Sequence, residues 1–257
     1  MMNMNYGLDS PPIVKRFFLI GAAFLLVGLL SQYFFTESFP AVEQALFQAC
    51  LWIGLTQILF AILMVLSSAY GKLILSKKVV DSLGLQGNEY GLDVGCGRGL
   101  LLVAMAKKLN KNGKTVGLDL WRKEDLSLNK PDSVLKNIQR EKIACLVELK
   151  SGDMLTMPFA NNTFDIVVSS MAIHNLAVKE KCQLAINEIH RVLKPGGKLQ
   201  LIDFKYTKVY RDQLKHLGWK EVKLSRYYFW MFPPVRIVSG IKPKNDQSLP
   251  SSKWVRH

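Results

Sequence analysis

The first quarter of the chain contains two long apolar runs with few polar interruptions. Residues 17–35 are nineteen consecutive residues without a charge, and residues 45–68 form a second such run. Each run is long enough to cross roughly 30 Å of hydrocarbon as a helix. The pattern predicts a hairpin of two membrane-spanning helices. Two alternatives are a pair of buried core helices and, for the first run, a secretory signal peptide, although residues 31–35 offer no small-residue cleavage site.

The charges that flank the two runs predict an orientation in the membrane. Basic residues lie outside the runs, at Lys15, Arg16, Lys72, Lys77 and Lys78. The connection 36–44 carries Glu37 and Glu43 and no basic residue. Because cytoplasmic flanks are enriched in Lys and Arg, both termini are expected on the cytoplasmic side. The predicted localisation is therefore a multi-pass membrane protein with the remainder of the chain at the cytoplasmic face.

From residue 90 onward the pattern changes to short apolar strands that alternate with helices. We predict seven strands, at Tyr90–Val94, Thr115–Asp119, Ala144–Lys150, Phe164–Ser169, Lys198–Phe204, Glu221–Leu224 and Val235–Ile241. The clearest helices between them are Leu100–Leu109, Lys179–Val192 and Thr207–Leu217, and residues 195–197 (Pro-Gly-Gly) predict a sharp end to the second of these. This alternation is typical of an α/β fold with a parallel sheet.

These patterns divide the chain into five segments. A polar N-terminal segment (1–15) precedes the hairpin (16–70), and a linking helix (71–87) leads to the α/β domain (88–242) and a tail (243–257). The terminal segments are expected to be poorly ordered. The linking helix has apolar residues at helical spacing and is a candidate to lie along the membrane surface.

The net charge of +14 raises the question of nucleic acid. From Lys205 to the end of the chain, twelve basic residues stand against three acidic ones. In a protein tethered to a bilayer, the anionic cytoplasmic leaflet also accounts for basic residues near the membrane. We favour the leaflet because no recognised RNA-binding module accompanies the charge, and we expect no nucleic-acid partner.

The four cysteines predict neither a disulfide framework nor a metal site. Cys50, Cys96, Cys145 and Cys182 are widely spaced, without C-x-x-C pairs, and no metal-ligand cluster is found. A cytosolic domain keeps such thiols reduced.

A glycine-rich turn between a strand and a helix predicts a nucleotide-cofactor site. Residues 91–99 read Gly-Leu-Asp-Val-Gly-Cys-Gly-Arg-Gly, and the next strand ends at Asp119, where a ribose-binding carboxylate belongs. Glycines allow tight turns and close approach to a ligand, and the following helix presents free N–H groups. The dinucleotide fingerprint G-x-G-x-x-G would need its third glycine at Leu100, so a dinucleotide is disfavoured.

The pattern D-x-G-x-G-x-G followed by V-G-L-D resembles class I S-adenosylmethionine methyltransferases. Further matches to that family are Gly152-Asp153-Met154 with Met157-Pro158-Phe159, the strand Phe164–Ser170, and Glu188–Gly197. The last of these is close to the small-molecule branch (methyltransferase type 11) that contains quinone-biosynthesis C-methyltransferases. The resemblance spans about residues 88–242 and implies a Rossmann-like sheet of seven strands, with helices on both faces and the last strand inserted antiparallel.

The resemblance also implies roles for individual residues. Asp93 with Gly95, Cys96, Gly97 and Gly99 would hold the methionine part of S-adenosylmethionine. Asp119 would bind the ribose hydroxyls, with Leu120 packed on the adenine. Asp153 would accept a hydrogen bond from the adenine amino group beside the Met154 amide, and Ser169 at the end of strand four completes the cofactor set. Alternative roles are a surface turn for Asp153 and a strand-end cap for Asp119.

Methyl transfer requires a general base only where the acceptor must lose a proton. His174 follows strand four, at the edge where ligands collect in open α/β sheets, and could act as base or contact the acceptor. The alternative is a histidine that caps the next helix or bonds to Asn175. Strand four lacks the N/D-P-P-Y sequence of DNA and glutamine N-methyltransferases. Three other aromatic features are considered. Trp121 is expected either to cover the adenine or to pack in the core, and His190 is expected to be structural. Tyr227–Phe232 is expected to lie at the membrane interface, to line a substrate path or to form a buried strand.

Together these features predict a membrane-anchored enzyme that moves a methyl group from S-adenosylmethionine to a small or lipid-like acceptor. Two alternatives stay open. One is a methyltransferase that acts on a membrane protein, and the other is a binding protein for the same cofactor that assists assembly without turnover.

Overall fold

The structure is a computed structural model that describes residues 6–34, 40–122, 129–143 and 146–244. Its helices are α1 (Pro11–Phe34), α2 (Pro40–Leu66), α3 (Lys72–Leu83), α4 (Leu100–Ala106), α5 (Pro131–Arg140), α6 (Lys179–Val192) and α7 (Thr207–His216). A π-helical turn, Ser67–Gly71, joins α2 to α3, and a 3-10 turn, Ile173–Leu176, precedes α6. The strands are β1 (Tyr90–Val94), β2 (Lys114–Asp119), β3 (Val147–Ser151), β4 (Phe164–Ser170), β5 (Leu193–Asp203), β6 (Lys220–Leu224) and β7 (Arg236–Ile241).

One seven-stranded sheet organises the domain, in the order β3-β2-β1-β4-β5-β7-β6. The five strands β1 to β5 pair in parallel, whereas β7 is antiparallel to both β5 and β6. The Rossmann-like arrangement with an inserted antiparallel strand is therefore confirmed. The carboxyl ends of the parallel strands share one edge, which is where ligands bind in such sheets.

Most predicted element boundaries agree with the structure to within a few residues, and the start of β5 differs for a physical reason. Strand β5 begins at Leu193, directly after α6, because Leu193 pairs with Phe164 and the ladder resumes at Lys198 after an irregularity. The predicted turn at 195–197 is thus a bulge inside the strand. Helix α4 ends at Ala106 rather than Leu109, and the start predicted for β3, residues 144–145, lies outside the described residues.

Helices cover both faces of the sheet. On one face, α6 and α7 bury Ile186, Ile189 and Tyr210 against the central strands. On the other face, α3 and α4 pack with Ile166, Val168 and Ile202. The apolar residues of α3 are Leu75, Val79, Val80 and Leu83, and all are almost fully buried. The linking helix therefore packs its apolar side on the sheet, so a position along the membrane surface, which stays a prediction, would have to use its other side.

The two N-terminal helices form a tight antiparallel hairpin. Gly21 and Gly54 face each other, since a Cβ on Gly21 would lie 2.9 Å from the Gly54 carbonyl oxygen. Small residues allow helix backbones to approach closely in this way. Both helices are long and apolar enough to cross a membrane, and only 17% and 22% of their most apolar stretches are buried. Since α1 starts at Pro11, the predicted boundary at residue 16 falls inside this helix.

Candidate functional site

A cavity of about 400 Å³ lies at the carboxyl edge of the sheet. Of the predicted site residues, it is lined by Asp93, Gly95, Cys96, Gly97, Asp119, Leu120, Asp153, Met154 and His174. The fold thus brings together nine of the eleven residues singled out in the sequence, although they come from four separate loops. The two others, Gly99 and Ser169, lie outside the lining.

The glycine turn after β1 is built around positive φ angles. Gly95 has φ +69° and Gly97 has φ +53°, a region that residues with a Cβ rarely adopt. A Cβ on Gly95 would collide with the side chain of Ala172. Gly99, at φ +81°, begins α4, and a Cβ there would lie 2.9 Å from Val134. Gly99 therefore serves helix packing, while the first two glycines shape the cavity wall.

Asp119 closes the turn from the neighbouring strand. Its carboxylate accepts a hydrogen bond from the Gly97 N–H at 2.8 Å and another from the Trp121 N–H at 2.6 Å. A side-chain amide donor of Asn129 lies 3.3 Å away. These bonds hold the carboxylate at the cavity with acceptor capacity to spare, as a pair of vicinal hydroxyls requires.

Asp93 is a buried carboxyl group, only 2% exposed, below the same turn. Its Oδ2 accepts a hydrogen bond from the Leu102 N–H at 2.9 Å. Burial raises its pKa to about 7, and the charge of Asp119 adds to the rise, whereas the Leu102 N–H opposes it. A buried carboxylate without a cation is costly, so this position favours a ligand that brings a positive group.

His174 lies beside an acid that the sequence analysis did not single out. The His174 Nδ1 lies 2.8 Å from Oδ1 of Asp203, the last residue of β5. The main-chain N–H of His174 donates a hydrogen bond to Asp203 Oδ2 at 3.3 Å. Asp203 is 2% exposed and also accepts hydrogen bonds from the Tyr210 hydroxyl and the Phe204 N–H. His174 sits on the 3-10 turn and does not cap α6, whose N-cap is Val178. The available signal is an acid near the carboxyl end of the strand predicted at Lys198–Phe204.

Residues Tyr6–Ser10 form a strap at the cavity, although the sequence analysis predicted a poorly ordered segment there. The buried Lys72 Nζ donates to the carbonyls of Tyr6 and Gly7, at 3.0 and 2.5 Å, and lies 3.1 Å from Asp9 Oδ1. The Ser68 hydroxyl donates to Asp9 Oδ2, and the Asp9 N–H donates back to that hydroxyl. Tyr6, Asp9, Ser10 and Lys72 all line the cavity. The strap therefore ties the start of α1 to the cavity wall.

Three polar side chains at the cavity have buried atoms without hydrogen-bond partners in the part of the chain that the structure describes. These atoms are Nε of Arg98, Oδ1 of Asn129 and Nδ1 of His174, which is close to the Asp203 carboxylate but does not meet hydrogen-bond geometry with it. Buried polar atoms are nearly always paired, so an unmet donor and an unmet acceptor in a cavity wall suit a ligand with both kinds of group.

The remaining sequence-predicted residues take structural positions. Ser169 is buried and donates to the Val94 carbonyl at 2.7 Å, so it joins β4 to β1 while Ser170 lines the cavity instead. Trp121 donates from its indole to Ser151. His190 accepts a hydrogen bond from the Trp219 indole. Burial raises the pKa of the Cys96 thiol, in keeping with a packing role. Cys145 lies outside the described residues.

No group of three or more metal-binding side chains occurs among the described residues.

Comparison with known proteins places this cavity in a methyltransferase domain. Residues 92–201 match the profile of a family described as "Methyltransferase domain". Among curated proteins, a demethylmenaquinone methyltransferase of Lactobacillus johnsonii is 31% identical over 159 residues, 61% of this chain and 57% of that protein. A second, from Lactiplantibacillus plantarum, is 32% identical over 127 residues, 49% of this chain and 50% of that protein. The chain thus spans just over half the length of these relatives.

The solved structures agree on the fold. A methyltransferase from Aquifex aeolicus described as dependent on S-adenosylmethionine (SAM) superposes with a TM-score of 0.51 at 20% identity, over 65% of this chain and 88% of that one. These comparisons confirm the Rossmann-like methyltransferase fold, for which the sequence resemblance implies S-adenosylmethionine as the cofactor. The residues of the cavity fit S-adenosylmethionine. Asp119 can accept further hydrogen bonds, and a cation would stabilise the buried carboxylate of Asp93. The glycine turn leaves space that a Cβ would fill.

Proposed function

We propose that this chain is an S-adenosylmethionine-dependent methyltransferase that methylates a small lipophilic acceptor while its hairpin holds it in a membrane, and the match of residues 92–201 to a methyltransferase-domain profile supports this. One observation carries the proposal. The same cavity is lined by the glycine turn, by His174, and by Tyr6 and Lys72 at the base of the apolar hairpin. A cofactor site and a membrane-type element therefore meet at one place.

The chain's own residues divide the binding of the cofactor between them. Asp119 would accept the ribose hydroxyls, Leu120 would pack on the adenine, and Asp153 with the Met154 amide would bind the adenine edge. Asp93 would pair with the ammonium group of the methionine part, beside Gly95 and Gly97. The unpaired Nε of Arg98 suits the carboxylate of that part.

The bound cofactor supplies a methyl group on an activated sulfonium. The protein's contribution is to align the acceptor and exclude water. His174 faces Asp203 through Nδ1, which leaves Nε2 to take a proton from an acceptor such as a ring hydroxyl. Asp203 then orients the imidazole and stabilises its protonated form, and Tyr210 holds Asp203 in place.

A quinone-like ring is the acceptor that the observations favour. The matched relatives are described as demethylmenaquinone methyltransferases. The cavity that His174 lines also has apolar side chains in its wall, Met171, Leu176 and Met231, together with the polar Asn175 and Lys181. A flat, weakly polar ring with a long apolar tail suits such a wall, and its tail would remain in the bilayer.

The anchor is supported by the exposed apolar faces of α1 and α2 and by the basic residues beside them. Leu19, Leu29 and Trp52 are each more than half exposed. Insertion would cover these side chains with lipid and place both termini and the domain on the cytoplasmic side. Sharing a bilayer with the acceptor raises its effective concentration without new contacts.

Radiolabelled methyl transfer tests the proposal. Membranes that contain the full chain are incubated with methyl-labelled cofactor, and the label is separated into lipid and protein fractions. We expect label in the lipid fraction, lost in Gly97→Val and retained in Gly218→Val, which changes an exposed positive-φ glycine far from the cavity. Label found only in protein would instead indicate a methyltransferase that acts on membrane proteins, and the absence of label would favour a binding role without turnover.

A further inference from the structure

The loop between β6 and β7 exposes several large aromatic side chains to solvent. We call residues 225–235 the aromatic loop. Tyr227 is 50% exposed, Phe229 is 75% exposed and Trp230 is 45% exposed, whereas Tyr228 and Met231 point into the domain core. Large aromatic side chains exposed side by side mark an interaction surface. Their sequence is compatible with a membrane interface, a substrate path or a buried strand, and their exposure excludes the strand.

The aromatic loop lies at the same edge of the sheet as the cavity. Strands β5 and β6 both run antiparallel to β7, so β6 runs in the same direction as the parallel strands. The end of β6 and the start of β7 therefore lie at the carboxyl edge, and Met231 of the loop lines the cavity itself. Trp219, which precedes β6, lies at the opposite edge.

The aromatic loop is fastened to the base of the hairpin. The Phe232 ring lies 5.3 Å from the Phe60 ring of α2, and its N–H donates to the Ser67 hydroxyl at 2.9 Å. The Trp230 carbonyl oxygen packs so closely on Gly71 that a Cβ there would collide with it. The exposed aromatic side chains are thus continuous with the apolar surface of α2.

The charged groups that the structure places over the rings of the aromatic loop are positive. Lys78 Nζ lies 4.8 Å from the centre of the Tyr228 ring and 5.9 Å from that of Trp230, and the Arg236 guanidinium lies 5.0 Å from that of Tyr227. Residues 225–236 include no Asp or Glu. Aromatic rings beside basic groups are typical of the boundary between acyl chains and anionic headgroups.

We propose that Tyr227, Phe229 and Trp230 insert into the headgroup boundary of the leaflet next to the hairpin base. The bilayer is the partner of this surface because the loop continues the apolar surface of α2 and carries only positive charge. This inference rests on the proposed insertion of the hairpin and deepens it. With the hairpin and the loop both in the bilayer, the carboxyl edge and its cavity face the membrane, so a lipophilic acceptor reaches His174 without crossing water.

Quenching of tryptophan by brominated lipids tests the proposal on the full chain in nanodiscs. Bromine near the glycerol end of the acyl chains reports shallow tryptophans, and bromine near the methyl end reports deep ones. Removing a quenched tryptophan lowers the quenched fraction of the remaining emission, whereas removing an unquenched one raises it. The variants are Trp230→Phe, the far-edge control Trp219→Phe, and Trp52→Phe on the exposed face of α2.

We expect Trp230→Phe to lower the fraction quenched by shallow bromine and Trp219→Phe to raise it. A rise in Trp230→Phe like that in Trp219→Phe would overturn the proposal, and the surface would then belong to a protein partner or a second copy. Trp52→Phe separately reports the premise, because deep bromine quenches Trp52 only if the hairpin is inserted. If the fraction quenched by deep bromine falls in Trp52→Phe while the fraction quenched by shallow bromine rises in Trp230→Phe, the hairpin is inserted and only the insertion of the aromatic loop is rejected.

Discussion

Two carboxyl groups at the ends of neighbouring strands illustrate how surroundings set their roles. Asp119 is partly exposed, and its carboxylate accepts hydrogen bonds from two main-chain N–H groups of the loops beside it. The orientation of the carboxylate is therefore fixed before a ligand binds. Asp93 is enclosed and holds a single N–H, which leaves its charge poorly compensated. The first suits neutral hydroxyls, and the second suits a cation.

Cofactor binding should depend on pH through Asp93. Its pKa is raised to about 7, so the group takes up a proton as the pH falls below 7 and must release it to pair with an ammonium group. Affinity for S-adenosylmethionine should fall by up to about tenfold per pH unit below 7. Titration calorimetry between pH 5 and pH 8 measures this. Asp93→Asn should bind S-adenosylmethionine more weakly, with an affinity that no longer changes with pH. Asp165→Asn, at the far edge of the sheet, should keep the pH dependence of the parent.

Asp203 should act as a positioning residue for His174. Asp203→Asn keeps the size of the side chain but removes the charge that stabilises a protonated imidazole. We expect kcat to fall roughly 10²- to 10⁴-fold in His174→Gln, in the range for general bases. Asp203→Asn should lower kcat less and displace its pH profile to lower pH, because an imidazole without the neighbouring charge loses its proton more readily, with cofactor affinity unchanged in both. His216→Gln, an exposed histidine on α7, is the control, and an unaltered pH profile in Asp203→Asn would contradict the role.

At the scale of elements, predictions succeeded where local pattern decides the structure. Strand β1 and helix α6 have the predicted ends, because an apolar strand before glycine and an amphipathic helix are local signals. The strap, the Asp203 pairing and the position of Ser169 depend on contacts between distant residues. Lys72 meets Gly7 across 65 positions of sequence, and no local signal reports such a contact.

Lys72 is the residue that holds the strap against the cavity. Lys72→Met keeps the stem of the side chain but leaves the Tyr6 and Gly7 carbonyls without their donor, at a cost of about 1–3 kcal/mol for each buried group. The strap should detach, and amide hydrogen exchange of residues 6–10 should accelerate at least tenfold. The matched control is Lys77→Met, an exposed lysine of the same helix. Equal protection in both variants would show that the strap is held by other contacts.

At the scale of the whole molecule, the features on which the proposed function depends lie at the carboxyl edge of the sheet. The cavity, the strap, the base of the hairpin and the aromatic loop all meet there, whereas Trp219 and Asp165 mark an opposite edge without such features. In the proposed function, this arrangement couples cofactor binding, acceptor access and membrane contact in one region. The family resemblance predicted the cofactor half of this region, and only the packing of the hairpin against the domain reveals the other half.

The most direct test of the account is titration calorimetry of the purified full chain with S-adenosylmethionine, S-adenosylhomocysteine and NAD. We predict saturable binding of the two sulfur nucleosides at one site per chain and no binding of NAD. Asp119→Ala should weaken that binding at least tenfold, consistent with the loss of hydrogen bonds to a charged group, while Asp165→Ala binds like the parent. No heat with S-adenosylmethionine, or parent-like affinity in Asp119→Ala, would contradict the cofactor site on which the proposed function depends.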